Sequence, residues 1–375
     1  MTARAGPLSV TIISGFFGAG KSSLVGDLLQ SSEGRRIAAA LCDSQEDLIE
    51  TVKLAAQLDI DQLLLECGGA TDPMEIAAQF IDTGPAGAEL ARFARVDSAL
   101  TVVDTADILN RFCSWSTLAE EGVGEAHVGS RLVVDVVTEQ LEFANVVVLN
   151  KTDCVSDLVV QDVETLVRAL NRGARVVRRE AGNFPPKKLP TEPAFDFERT
   201  RSMAGWVQAF NAAGTEDVRI VEGVSSFLYS VRLPFHPQRF MEFMQAEWPG
   251  VVRSRGLFWL ASRMDWMGEL IQAGGARRHR AAGVWWATML AGNTVDAREV
   301  EPMLGRQWDP RFGDRRQEIA FAGIDMNEAM LRARLDECLL TDAEMRRGPE
   351  VWQGYADPFP SWDGPRTRAA DRSLN

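Results

Sequence analysis

In the first half of the chain, short unbroken apolar runs alternate with stretches whose apolar residues recur at helical spacing. Leu8-Ser-Val-Thr-Ile-Ile-Ser14 reads as a buried strand. Gly15 to Gly20 interrupts it, and Leu24, Val25, Leu28 and Leu29 then mark one face of a helix. Arg36 to Leu41 is a second short apolar run. Ser44 with Asp47 resembles a capping box and opens a helix with Leu48, Ile49, Val52 and Ala56 on its apolar face. Further strands are expected at Gln62–Glu66, Ser98–Val103, Asn145–Leu149 and Ala174–Val177, with helices around Arg131–Phe143 and Leu158–Leu170. Strands alternating with helices predict a mainly parallel sheet covered on both faces.

The rhythm breaks at Asn183-Phe-Pro-Pro-Lys-Lys-Leu-Pro190, a Pro-rich connector. Beyond it the strand-like runs are Ser225–Val231, Val251–Ser262, Trp266–Gln272, Gly283–Met289 and Glu318–Ile324. Helical patterns fall at Pro237–Trp248 and Asn327–Leu339. The expected organisation is an α/β domain over 8–182, a connector over 183–220, a smaller α+β domain over 221–362 with antiparallel character, and a frayed tail over 363–375. The tryptophans at 259, 266, 285 and 286 fall on strand-like runs and read as core.

Composition narrows the classes. Net charge is −13, which disfavours nucleic acid and anionic membranes as partners. No run approaches the length of a membrane span, the first residues lack a signal-peptide core, and the five cysteines form no CxxC pair, so a reduced, cytosolic protein is expected. Only Lys21, Lys53, Lys151, Lys187 and Lys188 are lysines among 40 basic residues. Two of these five stand in motifs where arginine cannot substitute.

The first motif is Gly15-Phe-Phe-Gly-Ala-Gly-Lys21-Ser22, which fits G-x-x-x-x-G-K-[ST] between a strand and a helix. Backbone N–H groups of Gly15, Gly18, Ala19 and Gly20 are suited to curl around phosphates. Lys21 reaches the terminal phosphates, Ser22 takes a place on Mg²⁺, and Ser23 lies in the same helix N-terminus, whose dipole favours an anion. A P-loop needs a second acidic strand end. Leu63-Leu-Leu-Glu66-Cys-Gly-Gly69 supplies one, with Glu66 supporting the metal's water shell and Gly69 letting the backbone approach a γ-phosphate. Asn150-Lys-Thr-Asp153 closes a run of valines. Here Asp153 can accept from guanine N1–H and its exocyclic amine, the Lys151 stem can pack on the base, and Asn150 can tie the loop to the P-loop. Adenine lacks that amine, so ATP is disfavoured, and with it kinase-like transfer.

These residues, with Glu66-Cys-Gly-Gly-Ala-Thr-Asp-Pro73 and Glu142-Phe-Ala-Asn-Val-Val-Val-Leu-Asn-Lys-Thr-Asp153, resemble the CobW-like GTPases, relatives of the HypB and UreG metal-insertion GTPases. Gly223–Tyr229, Arg232–His236, Arg255–Trp259, Gly313–Glu318, Leu339–Glu344 and Asp357–Trp362 resemble the CobW C-terminal domain, closest to the branch of zinc-regulated GTPases and nitrile hydratase activators. The resemblance spans residues 8 to 362. It implies GTP hydrolysis, with GTP and Mg²⁺ bound, coupled to delivery of a metal such as Zn²⁺ or Co²⁺ into a client metalloprotein.

Two departures qualify that implication. The family carries a C-x-C-C metal motif before the helix that leads to the glutamate strand. Cys42 aligns with its end, but Ala39, Ala40 and Leu41 stand upstream. Three thiolates can hold a tetrahedral zinc with one outside ligand, and one cannot. Cys67, at the end of the next strand, is the candidate second thiol. The three histidines, His127, His236 and His279, are isolated in sequence. The segment between the P-loop helix and Cys42 is also shorter than the family's by about 25–30 residues, where the family places a switch. The function expected is GTP binding with slow or partner-dependent hydrolysis, with the chain's own thiolate site lost. The competing reading is a non-catalytic GTP- or GDP-binding scaffold beside a metalloenzyme or a full-length paralogue.

Overall fold

A computed structural model of the chain describes residues 6–31, 34–42, 45–81, 85–123, 129–179, 195–202, 204, 207, 223–292 and 308–362. The expected connector (but for a few residues), the tail, Ser44 and His127 lie outside them. The chain divides into two compact units, residues 1–208 with 273–276, and 209–272 with 277–375.

In the first unit the elements run β1 (Leu8–Ser14), α1 (Lys21–Gln30), β2 (Ile37–Cys42), α2 (Gln45–Gln57), β3 (Gln62–Cys67), α3 (Pro73–Ala78), α4 (Pro85–Phe93), β4 (Ala94–Asp104), α5 (Ile108–Cys113), α6 (Val133–Glu142), β5 (Val146–Asn150), α7 (Asp157–Leu170), β6 (Arg175–Arg178) and α8 (Phe197–Arg201). The six strands form one parallel sheet in the order β2-β3-β1-β4-β5-β6. Both faces are covered. Leu8, Val10 and Ile12 pack with Leu48 and Val52 of α2 and Ile76 of α3, while Ile13, Leu64 and Val148 pack with Leu24, Val25 and Leu28 of α1. This is why the strands read as unbroken apolar runs. Leu29, placed on the buried face by its spacing, is instead exposed, because α1 buries a narrower stripe. After β3 the chain crosses to the far side of β1. That reversal leaves a crevice at the C-terminal ends of the strands, where open α/β sheets bind ligands.

The second unit contains β7 (Val224–Val231), α9 (Pro237–Gln245), β8 (Val251–Phe258), β9 (Trp266–Ala273), β10 (Ala276–Val284), α10 (Trp286–Ala291), β11 (Gln317–Ile324), α11 (Glu328–Cys338), α12 (Asp342–Met345) and α13 (Pro349–Trp352). Its sheet has the order β10-β9-β8-β11-β7, with β11 antiparallel to both neighbours. An aromatic core fills one face. Phe240 of α9 stacks on Phe235 at 4.4 Å and packs against Phe258 at 4.8 Å, and Phe227 stacks on Phe321 at 4.9 Å. Arg263 staples the closing segment by bonding both Asp357 oxygens (2.7 and 3.0 Å), the Phe359 and Pro360 carbonyls, and the face of Trp362 at 4.4 Å.

The strand-like run expected over Gly283–Met289 is corrected. The strand is β10, which ends at Val284, and Trp286 begins a helix. Basic residues hid the strand, since Arg277-Arg-His-Arg280 looks like a solvated run. In the fold, Arg277 caps the Met244 carbonyl at 2.9 Å and lies over Trp248, while Arg280 pairs with Glu269 at 2.6 Å. Of the four tryptophans expected in the core, Trp259 and Trp285 are fully buried just outside the strands, whereas Trp266 and Trp286 are only half-buried.

Candidate nucleotide site

Residues 15–20 turn the chain from β1 into α1. Gly20 stands at φ 97°, a left-handed conformation, and a Cβ there would meet Asn150 Nδ2 at 2.2 Å. Glycine is therefore required twice over, by backbone angle and by the approach of a second loop. The first turn of α1 has no acidic residue, which keeps the helix N-terminus suited to an anion. Lys21 lies over the loop and donates from Nζ to Gly15 O at 2.8 Å. The hydroxyl of Ser22 donates to Glu66 Oε1 at 2.6 Å, so the end of the loop and the end of β3 present two hard oxygens side by side. Glu66 is buried in the sheet, where its partners are Ile13 and Leu41 in register.

The residues expected to read a base close over the same loop. Asn150, at the end of β5 and buried, donates from Nδ2 to Ala19 O at 2.8 Å. Lys151 takes a left-handed backbone at φ 59°, reaches Gly18 O at 3.1 Å and pairs with Asp104. Asp153 sits in a short 3-10 turn (Thr152–Cys154) with its carboxylate exposed to solvent. The structure thus brings Gly15, Gly18, Ala19, Gly20, Lys21, Ser22 and Glu66 together with Asn150 and Lys151. Asp153 is carried on the same loop. Ser23 faces another way and accepts from Arg179 Nη2 at 2.8 Å.

Gly69 follows Glu66 in a loop that other side chains pin down. The ring of Phe17 lies where a Cβ on Gly69 would be, 2.5 Å from its closest atom. Gln140 of α6, fully buried, donates from Nε2 to the carbonyls of Gly69 (3.1 Å) and Thr71 (3.3 Å), and Arg131 donates to Ala70 O at 2.8 Å. Three successive carbonyls are held from α6 and the turn before it. The backbone of Gln140 is in turn fixed to the sheet, because Thr101 Oγ1 donates to its carbonyl at 2.7 Å. Asp72 ends the loop and caps α3 through Met74 N–H at 2.8 Å; burial pushes its carboxyl above the usual range. Beside the loop a cleft is lined by Phe16, Phe17, Asp104, Asp107, Arg111 and Gln140.

Arg179, Gln140, Arg131 and Asp104 escaped the reading of the sequence. Only Asp104 had a signal, the same one as Glu66, since it is a carboxylate closing an apolar run. Cys42 and Cys67 do come together. They are register partners at the ends of β2 and β3, so their side chains share one face of the sheet, and both are buried in the core beneath α2 and α3. Among the described residues no group of three or more His, Cys, Asp or Glu side chains could hold a metal ion. His236 and His279 are half-buried in the second unit, where desolvation lowers the pKa of both imidazoles. No helix of the described residues is long and apolar enough to cross a membrane.

Residues 9–46 and 40–178 match the CobW/HypB/UreG nucleotide-binding domain, in two pieces that overlap just before and after Cys42. Residues 224–339 match the cobalamin synthesis protein cobW C-terminal domain. The chain is 30% identical over 401 aligned residues to a zinc-regulated GTPase metalloprotein activator of Dictyostelium discoideum, covering 94% of this chain and 84% of that one. It is 31% identical over 281 residues to a zinc chaperone of Mycobacterium tuberculosis, covering 74% of this chain and 64% of that one. Among solved structures, a Zn(II)-bound YjiA GTPase from E. coli aligns over 89% of this chain and 100% of its own at 15% identity, with a TM-score of 0.38.

Proposed function

The chain belongs to the CobW/HypB/UreG family of P-loop GTPases, and from that premise we propose that it binds GTP with Mg²⁺, hydrolyses it slowly and serves the activation of a client metalloprotein. The observation that carries this reading is the 2.8 Å bond from Asn150 to Ala19 O, which joins the expected base loop to the expected phosphate loop. Loop amides, the α1 N-terminus and Lys21 bind and neutralise the phosphates. Asp153 selects guanine by accepting from its amine, and Lys151 closes over the loop beside Asp104. The Ser22 hydroxyl and the Glu66 carboxylate, 2.6 Å apart, are hard oxygen donors of the kind Mg²⁺ takes, Ser22 directly and Glu66 through water. When bound, Mg²⁺ supplies charge neutralisation at the phosphates. Gly69 N–H completes the γ-phosphate side. Hydrolysis is slow in this reading because Gln140 and Arg131 direct their donors at loop carbonyls. The segment that the family uses as a switch is also short here.

The metal cargo is handled differently from the family pattern. Ala39, Ala40 and Leu41 have no donor side chains, and Leu41 points to solvent at 67% exposure. Cys42 and Cys67 supply two thiols at most, so a tight zinc site would need ligands from the client. The pinned 69–71 loop also favours a second reading, a GTP- or GDP-bound scaffold that does not turn over.

Calorimetry with GDP, ADP and XDP tests the base assignment. GDP is expected to bind far more tightly than ADP, and Asp153→Asn is expected to move the preference toward XDP. Equal affinity for GDP and ADP would end the assignment. Steady-state phosphate release with and without zinc separates slow turnover from none.

A further inference from the structure

We infer that Arg179 is a positioning residue that locks the base loop to the phosphate helix, an inference that rests on the nucleotide reading above. Arg179 follows β6 and is 2% exposed. Its guanidinium reaches two elements at once. Toward α1, Nε and Nη2 donate to Asp27 Oδ2 at 3.0 and 2.6 Å, and Nη2 also donates to Ser23 Oγ at 2.8 Å. Toward the end of β5, Nη1 donates to Asn150 Oδ1 at 2.9 Å. The backbone of Arg179 belongs to the same knot, since its N–H donates to Leu149 O at 2.8 Å and its carbonyl accepts from Thr152 Oγ1 at 3.1 Å.

The bond to Asn150 Oδ1 has a directional consequence. It fixes which end of the amide is oxygen, so the NH2 end is left facing Ala19 O, where it donates at 2.8 Å. A closed circuit results, running from α1 through Asp27, Arg179 and Asn150 back to the loop that begins α1. The phosphate-facing loop and the base-facing residues 150–153 are thereby held in one mutual geometry before a nucleotide arrives. Holding two subsites in register strengthens a ligand that spans both and does little for a fragment that touches only one.

The side chain must be arginine for this to work. A guanidinium offers five donors in a rigid plane and can serve acceptors on two sides, whereas an ammonium is a point with three. Burial of such a charge is expensive unless it is paired, and Asp27 provides the pairing. Removing the arginine leaves Asp27, whose side chain is 23% exposed, in reach of water, so the substitution need not cost the fold.

The experiment uses the full chain and two probes, GDP, which spans both subsites, and inorganic pyrophosphate, which touches the phosphate loop alone. Arg179→Met is expected to weaken GDP by about ten-fold or more, the size of a lost charge-assisted bond. Pyrophosphate affinity is expected to stay within about two-fold, as a lost coupling predicts. Adding Asn150→Ala is expected to cost less than the two single losses combined, because both substitutions open the same circuit. Unchanged GDP affinity, an equal loss for both probes, or additive losses would overturn the inference. Should Arg179→Met fold poorly, Asp27→Ala gives the same reading from the other end of the circuit, with the same split between probes expected and an equal loss for both overturning it. The nucleotide reading fails separately, through a wild-type protein that does not prefer GDP to ADP.

Discussion

The two units put their polar groups to different uses. In the first, Glu66, Gln140, Asn150 and Arg179 are buried at strand ends or in the helices beside them, and their partners are loops and a neighbouring helix. In the second, the interior of the described residues is dominated by stacked rings, while its strong ion pairs, Arg239 with Glu344 and Arg263 with Asp357, pin segments that follow the last strand. The first unit uses buried polarity to aim loops, whereas the second ties its own turns with buried Asp314 and Gln317 and fastens its last segments onto an aromatic core with half-buried ion pairs. A buried hydrogen bond is directional and an apolar contact is not, so buried polarity belongs where geometry must be held.

The contrast is broken most forcefully from the second unit. Phe240 is fully buried and touches Phe235 and Phe258, so Phe240→Ala should cost about 3–5 kcal/mol of that unit's stability. GDP affinity, measured by calorimetry on protein that remains folded, should not change. A parallel loss of GDP binding would show that the two cores are not independent. In the first unit, Lys21→Ala should remove about 2–5 kcal/mol of triphosphate binding with the circular dichroism spectrum unchanged. Unchanged GTP affinity would mean that the loop is not used for phosphates.

A smaller effect is expected from Gln140→Leu, which keeps bulk but removes the donor to Gly69 O and Thr71 O. One buried and one part-buried carbonyl lose a partner, at a cost of about 1–3 kcal/mol. Hydrogen exchange over 70–72, beyond the Gly69 amide itself, should then differ between GDP and a non-hydrolysable GTP analogue. In the wild type it should be the same in both. A wild-type loop that already responds to the γ-phosphate would contradict the picture of a pinned loop.

The smallest effect is a pH dependence in the second unit. The guanidinium of Arg239, with Thr341, holds Glu344 down to about 2 from an ordinary 4.5. A carboxylate whose folded pKa is depressed contributes stability that is fully present above its unfolded pKa and is lost as pH falls through the folded one. Stability should therefore decline between pH 4.5 and about 2, and Glu344→Gln should flatten that decline in acid titrations followed by tryptophan fluorescence. An unchanged slope would assign the acid sensitivity to other groups.

Much of the fold was legible because burial on both faces writes itself into composition. Val146-Val-Val-Leu149 can be little other than a central strand, and the glycines and lysine of 15–21 announce a phosphate loop. Legibility failed where side chains work against their usual tendency. The strand β10 is written in arginines, which cap carbonyls and cover rings while their charges meet carboxylates. Arg263 was no more visible, because its partners at 357–362 lie almost a hundred residues away.

The sequence alone therefore determined the alternation of strands and helices, offered the motifs proposed for phosphate and base, and left no donor side chains at 39–41, since each is a local matter of period, backbone freedom or side-chain chemistry. Tertiary structure decided what those local pieces face. It set Cys42 opposite Cys67, laid Phe17 on Gly69, and drew Arg179 across 152 residues to Asp27. The physical reason is that a buried polar group is defined by its partners. Those partners come from strands adjacent in the sheet and distant in the chain, an adjacency that spacing along the sequence does not encode.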